Sequence, residues 1–508
     1  MGELRDRCFD VAAYGDRPVL TCERGVVDAG TLARSIAGAA AVLRTRGIRA
    51  GDRVAWLGPT SATTVIGVFG VQAAGAIAVP LNPRHTPGEL AHVIEDSDSV
   101  LVVIDPTLVE RIGAAPGSRA RASADEIVGA HAEPTDPTPV DDEAIAMLVY
   151  TSGTTGRSKG VALSWRALVS NMGAIGEAWA LGPRDTCTVM LPLFHVHGLC
   201  IGVYAMLLAG ATIRLHAKFD PAALVVDVAE HGTTVMLGVP TMYVALLEHL
   251  GAHPDDAHVL ARARLFTAGS APLAAATHAA FAAATGHAIL ERYGMTETLI
   301  SLSNPLHGER RAGAVGMPLP GVVARIVADS GANVATDEVG ELQVQGTSLM
   351  SGYWRNAPAT AAAFDGPWFR TGDIATADTD GRVRIVGRTS TDIVKSGGFK
   401  ISTREIEDCL RAHPSITDVA VVGVADSRWG ERVTAAVATT DATPLPTLVE
   451  SLVAHCREHL ADYKCPRQWI VLDIIPCNAM GKVEKVALRE QILRDYDGDV
   501  DARRVHKK

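Results

Sequence analysis

Along the first half of the chain, apolar residues fall into two alternating textures. Apolar positions three and four apart predict helices over Thr31–Gly47, Ser61–Ala74, Ser164–Ala180, Pro221–His231, Thr241–Leu250 and Leu273–Thr285. Between them, short apolar runs predict strands at Arg53–Leu57, Ala76–Val79, Val100–Ile104, Ala144–Tyr150, Thr188–Leu191, Thr233–Leu237, Ala263–Thr267 and Ala288–Glu291. Strands separated by helices predict parallel or mixed sheets covered on both faces, an α/β fold.

The texture changes near Gly313. From about 313 to 386, β-branched runs such as Val322–Val327, Gly340–Val344 and Val383–Val386 alternate with Gly, Pro and Asp turns, which predicts a small β subdomain. After Gly387–Arg388 an α+β pattern begins, with helices at Thr403–Ala412, Pro446–Leu460 and near Lys482–Leu493, and strands at Val419–Val424 and Val433–Thr439. The expected division is therefore a large core, 1–388, and a smaller C-terminal domain, 389–508. A chain of 508 residues also exceeds what one hydrophobic core supports. Residues 132–142, rich in Pro and Asp, predict an exposed loop, and no internal repeat is visible.

Ala62 to Leu81 is uncharged and long enough to span a bilayer. It contains Gln72, three glycines and Pro80, so a buried helix followed by a strand is expected, with no membrane span. A net charge of −10 argues against a nucleic-acid partner. Eight scattered cysteines without a CxxC pair or zinc spacing, and a charged N-terminus, fit reduced thiols in a cytoplasmic protein.

The strongest chemical signal is Thr151-Ser152-Gly153-Thr154-Thr155-Gly156-Arg-Ser-Lys159-Gly160, directly after an apolar strand. Three glycines in ten residues let backbone N–H groups converge, and hydroxyls and Lys159 add donors, a nest suited to a polyphosphate. The spacing is not that of GxxxxGK[ST].

This loop resembles the phosphate-binding signature of the adenylate-forming superfamily of acyl-CoA synthetases, luciferases and peptide-synthetase adenylation domains. Tyr293-Gly-Met-Thr296-Glu297, Phe369-Arg-Thr-Gly-Asp373, Gly387-Arg388, the stretch Asp392 to Glu407, and Asn478-Ala-Met-Gly-Lys482 are similar to further motifs of that family, in order. The resemblance implies ATP, Mg²⁺ and coenzyme A as cofactors and a small carboxylic acid as substrate, converted through an acyl-AMP to an acyl-CoA. It places Tyr293 on adenine, Thr296 on the α-phosphate, Glu297 on Mg²⁺, Asp373 and Arg388 at the ribose, and Lys482 as the catalytic lysine. Gly269, Ser270 and Ala271 would complete the nucleotide site. The C-terminal domain would be mobile: it presents Lys482, then rotates after Arg388 so that Lys395, Ser396, Gly397 and Gly398 shape the CoA tunnel. Homodimers are implied by analogy alone.

The same resemblance lines the acyl pocket with His195, His197, Val239, Met242, Ala245, Ala268, Arg292 and Met295, with His195 or His197 as its gate. Among family members, the malonyl-CoA synthetases are most similar. They hold the distal carboxylate with two arginines; Arg292 matches one, and Ala245 stands in place of the other. Losing one charge-assisted bond costs on the order of 1.5–3 kcal/mol. The expected acid is therefore a medium or bulky monocarboxylate, with malonate or methylmalonate as the alternative. Ser158 and Cys477 replace the family's usual Pro and Arg. They leave open a ligase with weak adenylation that thioesterifies a supplied acyl-AMP, beside an adenylating enzyme that loads a carrier protein.

Overall fold

The computed structural model describes the chain except residues 1–5, 23–24, 135, 152–157, 389–391, 397–398, 427–428, 440–442, 478–482, 496–501 and 506–508. The described residues divide into two compact units: Met1–Ala324 with Val344–Phe369, and Arg325–Gln343 with Arg370–Lys508.

The first unit contains two sheets. In one, Leu101–Ile104, Arg53–Leu57, Ile77–Leu81 and Ile145–Thr151 run parallel, and Lys159–Ser164 returns antiparallel to Ile145–Thr151. In the other, Thr186–Val189, Val235–Gly238, Leu265–Ala268 and Leu290–Met295 are parallel neighbours, followed by the antiparallel Leu299–Ser303 and Ala314–Pro318. The strands read as apolar runs because both faces are covered: every residue of Arg53–Leu57 after the first is buried.

Helix starts follow from local chemistry. Thr86 and Glu89 form a capping box at Pro87–Asp96, and Asp220 accepts from Ala222 and Ala223 N–H ahead of Pro221. The membrane-like stretch resolves into the helix Ala62–Ala73 and the fully buried strand Ile77–Leu81. Gln72 is satisfied inside, donating to the Ala146 carbonyl and accepting from the Tyr204 hydroxyl. Among the described residues no helix is long and apolar enough to cross a membrane. The described residues among 131–142 form no regular element apart from a turn, as their composition implies.

In the second unit, Asp418–Asp426 pairs antiparallel with Gly430–Ala438, which runs parallel to Gln468–Leu472. Strand alternation divides the core between two faces. Val419, Val421, Val433 and Val437 pack with Ile406, Leu410, Leu448 and Leu452 from two helices. Ala420, Val422 and Val424 pack with Leu488 and Ile492 on the opposite face.

Candidate active site

In the first unit the chemistry-bearing residues gather at the carboxyl ends of parallel strands, where open α/β sheets place ligands. Val239 follows Val235–Gly238, and Gly269–Ala271 follow Leu265–Ala268. Tyr293 and Met295 end Leu290–Met295, and Thr296 and Glu297 make the turn into Leu299–Ser303. That turn is tight: a Cβ on Gly294 would lie 1.9 Å from the Leu299 carbonyl oxygen, and Leu299 has φ +54°. A side chain at 294 would not fit, which explains the glycine inside the motif.

Thr151 ends its strand opposite Lys159. Ser152, Gly153, Thr154, Thr155 and Gly156 lie outside the described residues. Lys159 places its ammonium 5.3 Å from the centre of the Tyr353 ring. The Tyr353 hydroxyl donates to Glu297 Oε1 at 3.0 Å. One phenol thus joins Lys159 to the buried carboxylate, through a cation–π contact and a hydrogen bond. The Glu297 carboxylate supplies the hard oxygen that Mg²⁺ accepts. Tyr353 was not visible as a site residue, because Gly352–Tyr353 is a two-residue strand without a pattern.

One of the residues expected at the acyl pocket is a buried cation. Arg292 lies in its strand with its guanidinium against the Gly269 backbone: a Cβ there would come 2.3 Å from Arg292 Cζ. Arg292 is buried, and its Nε and Nη2 have no hydrogen-bond partner among the described residues. Burial pushes its pKa down to about 10, so it remains charged at neutral pH. His197 is also buried; its Nδ1 meets Ser270 Oγ at 3.2 Å and its Nε2 has no partner among the described residues. Burial, and then the charge of Arg292, hold His197 well below the usual histidine range. Burial, and then His85, push His195 down to about 4. Both imidazoles are therefore neutral at pH 7. Ser270 adopts φ +69°, uncommon for a side-chain-bearing residue, and this places its hydroxyl on His197.

Val239, Met242 and Ala268 are buried and Ala245 is half-buried. His197 opens the wide-turned helix His197–Ala205, a π-helical geometry concentrated at functional sites. Its apolar run was not read as a helix from the sequence.

The second unit carries the other motifs. Asp373 and Arg388 are register partners on antiparallel strands, and the guanidinium grips the carboxylate through Nε–Oδ1 at 2.8 Å and Nη2–Oδ2 at 3.2 Å. The Arg388 N–H donates to Asp392 Oδ2 at 3.1 Å. Asp392 Oδ1 in turn accepts from Lys485 Nζ at 2.6 Å, and Lys485 also reaches Thr403 Oγ1 at 2.7 Å and Glu407 at 2.8 Å. Burial alone would lower the Lys485 pKa, but Glu407 and then Asp392 outweigh it and raise it. Burial raises that of Glu407, against the pull of Lys485. With two carboxylates and a hydroxyl around it, Lys485 is held in its charged form. Lys395 and Ser396 lie on the strand Ile393–Ser396, which pairs with Phe399–Ser402. Gly397, Gly398 and Lys482 lie outside the described residues.

A family model described as AMP-binding enzyme matches residues 9–354, and one for the AMP-binding enzyme C-terminal domain matches 405–482. The mitochondrial malonate–CoA ligase of Mus musculus is 37% identical over 525 residues, covering 94% of this chain and 89% of that protein. The feruloyl-CoA synthase of an Amycolatopsis species is 36% identical over 463 residues, covering 91% of this chain and 93% of that one. The crystal structure of ATP-bound MatB from Rhodopseudomonas palustris superposes with a TM-score of 0.89 at 34% identity, covering 96% and 100% of the two chains. The chain belongs to the AMP-binding family of adenylate-forming enzymes and is an ATP-dependent, AMP-forming acyl-CoA synthetase, an acid–thiol ligase using ATP, Mg²⁺ and coenzyme A.

Proposed function

We propose that the acid is medium-sized or bulky and presents a hydrogen-bond acceptor to Arg292 at the end remote from its reacting carboxylate. The observation that supports this is the buried guanidinium whose Nε and Nη2 lack partners among the described residues. Leaving such a charge unpaired costs several kcal/mol, on the order of what a ligand acceptor would recover. His197, neutral, has an Nε2 without a partner among the described residues, and Ala245 takes up less volume than the arginine whose place it holds. Malonate or methylmalonate is the second reading, favoured by the charge on Arg292, with a second carboxylate as the acceptor.

In the first half-reaction, a carboxylate oxygen of the acid attacks the α-phosphorus of ATP; the new P–O bond forms as the bond to the β-phosphate oxygen breaks, giving acyl-AMP and pyrophosphate. Lys159 and the residues after Thr151 hold the phosphates, Thr296 donates to the α-phosphate, and Lys482 neutralises developing charge. Glu297, oriented by Tyr353, would hold Mg²⁺, which when bound neutralises phosphate charge. Tyr293 stacks on adenine beside Gly269–Ala271, and Asp373, fixed by Arg388, accepts from the ribose hydroxyls. In the second half-reaction the CoA sulfur attacks the acyl carbon and AMP leaves. Rotation after Arg388 would exchange Lys482 for the strand bearing Lys395 and Ser396, together with Gly397 and Gly398. A homodimer and a cytoplasmic location fit this reading; the eight cysteines are all free thiols.

Product mass spectrometry of the enzyme with ATP, Mg²⁺, CoA and pooled acids tests the proposal. Bulky acids with a distal acceptor should form acyl-CoA with stoichiometric AMP, at least about tenfold faster than equally large acids without one. Malonate outcompeting both groups would install the second reading. Turnover that begins only on adding acyl-AMP would mark a thioesterification enzyme, and acyl-AMP without thioester would exclude CoA as acceptor.

A further inference from the structure

The second unit holds another cluster of metal-binding side chains, none of which enters the reaction proposed above. Cys409 lies on the helix Thr403–Arg411, and His455 and His459 lie on Leu445–His459. Each offers one ligand atom, and the three atoms lie within 4.8 Å of one another. The two helices share a core through Leu410, Leu448, Leu452 and Cys456, which fixes their relative placement. His455 and His459 are four residues apart, the helical spacing that turns two imidazoles toward one ion.

Each imidazole already uses one nitrogen. His455 Nε2 donates to the Cys409 carbonyl at 3.0 Å, and His459 Nδ1 donates to the His455 carbonyl at 2.9 Å. A carbonyl can only accept, so those nitrogens carry the protons, and His455 Nδ1 and His459 Nε2 keep lone pairs. Metal-ligating imidazoles are usually oriented in this way by a bond from their other N–H. His413, with its ring 5.3 Å from that of His455, is a neighbour rather than a ligand. Its Nε2 meets Ser451 Oγ at 3.0 Å and its Nδ1 accepts the Ser415 N–H at 3.2 Å.

We propose that Cys409, His455 and His459 bind a transition-metal ion of the Zn²⁺ type, linking the helices Thr403–Arg411 and Leu445–His459. One thiolate and two imidazoles suit Zn²⁺ and exclude the oxygen-seeking Mg²⁺ and Ca²⁺; a water takes the fourth tetrahedral position. Binding forms one metal–sulfur and two metal–nitrogen bonds as the Cys409 thiol releases its proton to solvent and all but one of the ion's aqua ligands leave. His459 is exposed and the other two are half-buried, so an ion can enter from solvent without unfolding the unit.

The test is titration of the full-length, reduced, metal-free protein with Co²⁺ and then Zn²⁺. One equivalent of Co²⁺ should give a thiolate charge-transfer band that Zn²⁺ abolishes. His459→Ala, which removes an exposed side chain, and Cys409→Ser should each weaken Zn²⁺ binding at least about a hundredfold. Cys477→Ser, at an exposed cysteine, should leave the band unchanged. Absence of a thiolate band, equal affinity in His459→Ala and the parent, or loss of the band in Cys477→Ser would overturn the site. So would a Cys409–Cys456 disulfide that, once reduced, leaves a protein without Zn²⁺ affinity; the two thiols lie within hydrogen-bond reach.

Discussion

Two buried cations in this chain are treated in opposite ways. Lys485, in the second unit, is surrounded by Asp392, Glu407 and Thr403 at 2.6–2.8 Å. Arg292, in the first, is more deeply buried, yet two of its nitrogens have no partner among the described residues. Their pKa values move in opposite directions for that reason: Lys485 up, through its carboxylates, and Arg292 down to about 10, through burial. A cation whose partners are built into the protein holds elements together. One left without partners costs stability unless something else supplies them, and a pocket is where that cost has a use.

Lys485→Met should have the largest effect. It leaves two carboxylates facing an apolar side chain, and removing one partner from a buried ion pair typically costs about 3–5 kcal/mol. The loss should appear as faster hydrogen exchange of the Asp418–Asp426 strand, whose Val421 N–H donates to Glu407. Adding Glu407→Gln to Lys485→Met should restore part of the protection, since one stranded charge is removed. The raised folded-state pKa of Lys485 also fixes a pH dependence. Its contribution is complete below the ordinary lysine value of about 10.4 and is lost as pH rises through the higher folded value. The parent should therefore lose stability in strong alkali through a component that Lys485→Met lacks. Unchanged exchange in Lys485→Met would remove the structural half of the comparison.

Arg292→Leu should separate activity from stability. The depressed folded-state pKa means that burying this charge costs stability at every pH below about 10, a cost relieved only as the pH rises past that value. Removing it should leave thermal stability equal or higher at pH 7. For the preferred acid, kcat/KM should fall by roughly ten- to a hundredfold, the worth of one charge-assisted bond, with the loss smaller for acids that have no distal acceptor. A large destabilisation in Arg292→Leu would make Arg292 a structural residue like Lys485.

The contrast also explains what could be read in the sequence. The helices and strands that pattern predicts lie within a few residues of observed ones, and Arg53–Leu57 and Pro221–His231 agree at both ends, whereas elements such as Pro87–Asp96, Lys159–Ser164 and Gln468–Leu472 were missed. The matched segments obey local periodicity, and burial on fixed faces leaves them no alternative. Arg292 was legible because it sits inside a local motif. That its Nε and Nη2 have no partner among the described residues was not, since its surroundings include Gly269, separated from it in the chain and joined to it by adjacent parallel strands. Lys485, Glu407 and Tyr353 were passed over for the same reason. A lysine on a helix is ordinarily solvated, and nothing near residue 485 in the sequence announces carboxylates at 392 and 407.

Tyr353 is an intermediate case, and its removal should have the smallest effect. Lys159 and Glu297 are neither directly paired by Tyr353 nor left apart: its phenol gives its face to the ammonium and its hydroxyl to the carboxylate. In Tyr353→Phe the ring remains, so the contact with Lys159 should persist, while Glu297 loses a donor. A hydrogen bond to a charged acceptor is worth about 1.5 kcal/mol at the low end, roughly tenfold in rate. If Glu297 holds the metal, that tenfold should appear in kcat for pyrophosphate release and weaken as Mg²⁺ is raised, with KM for the acid unchanged. Conversion of supplied acyl-AMP to thioester, which needs no pyrophosphate departure, should proceed at the parent rate. A loss shared equally by both half-reactions would place Tyr353 with Lys485 among the residues that hold the fold, and would detach Glu297 from the metal.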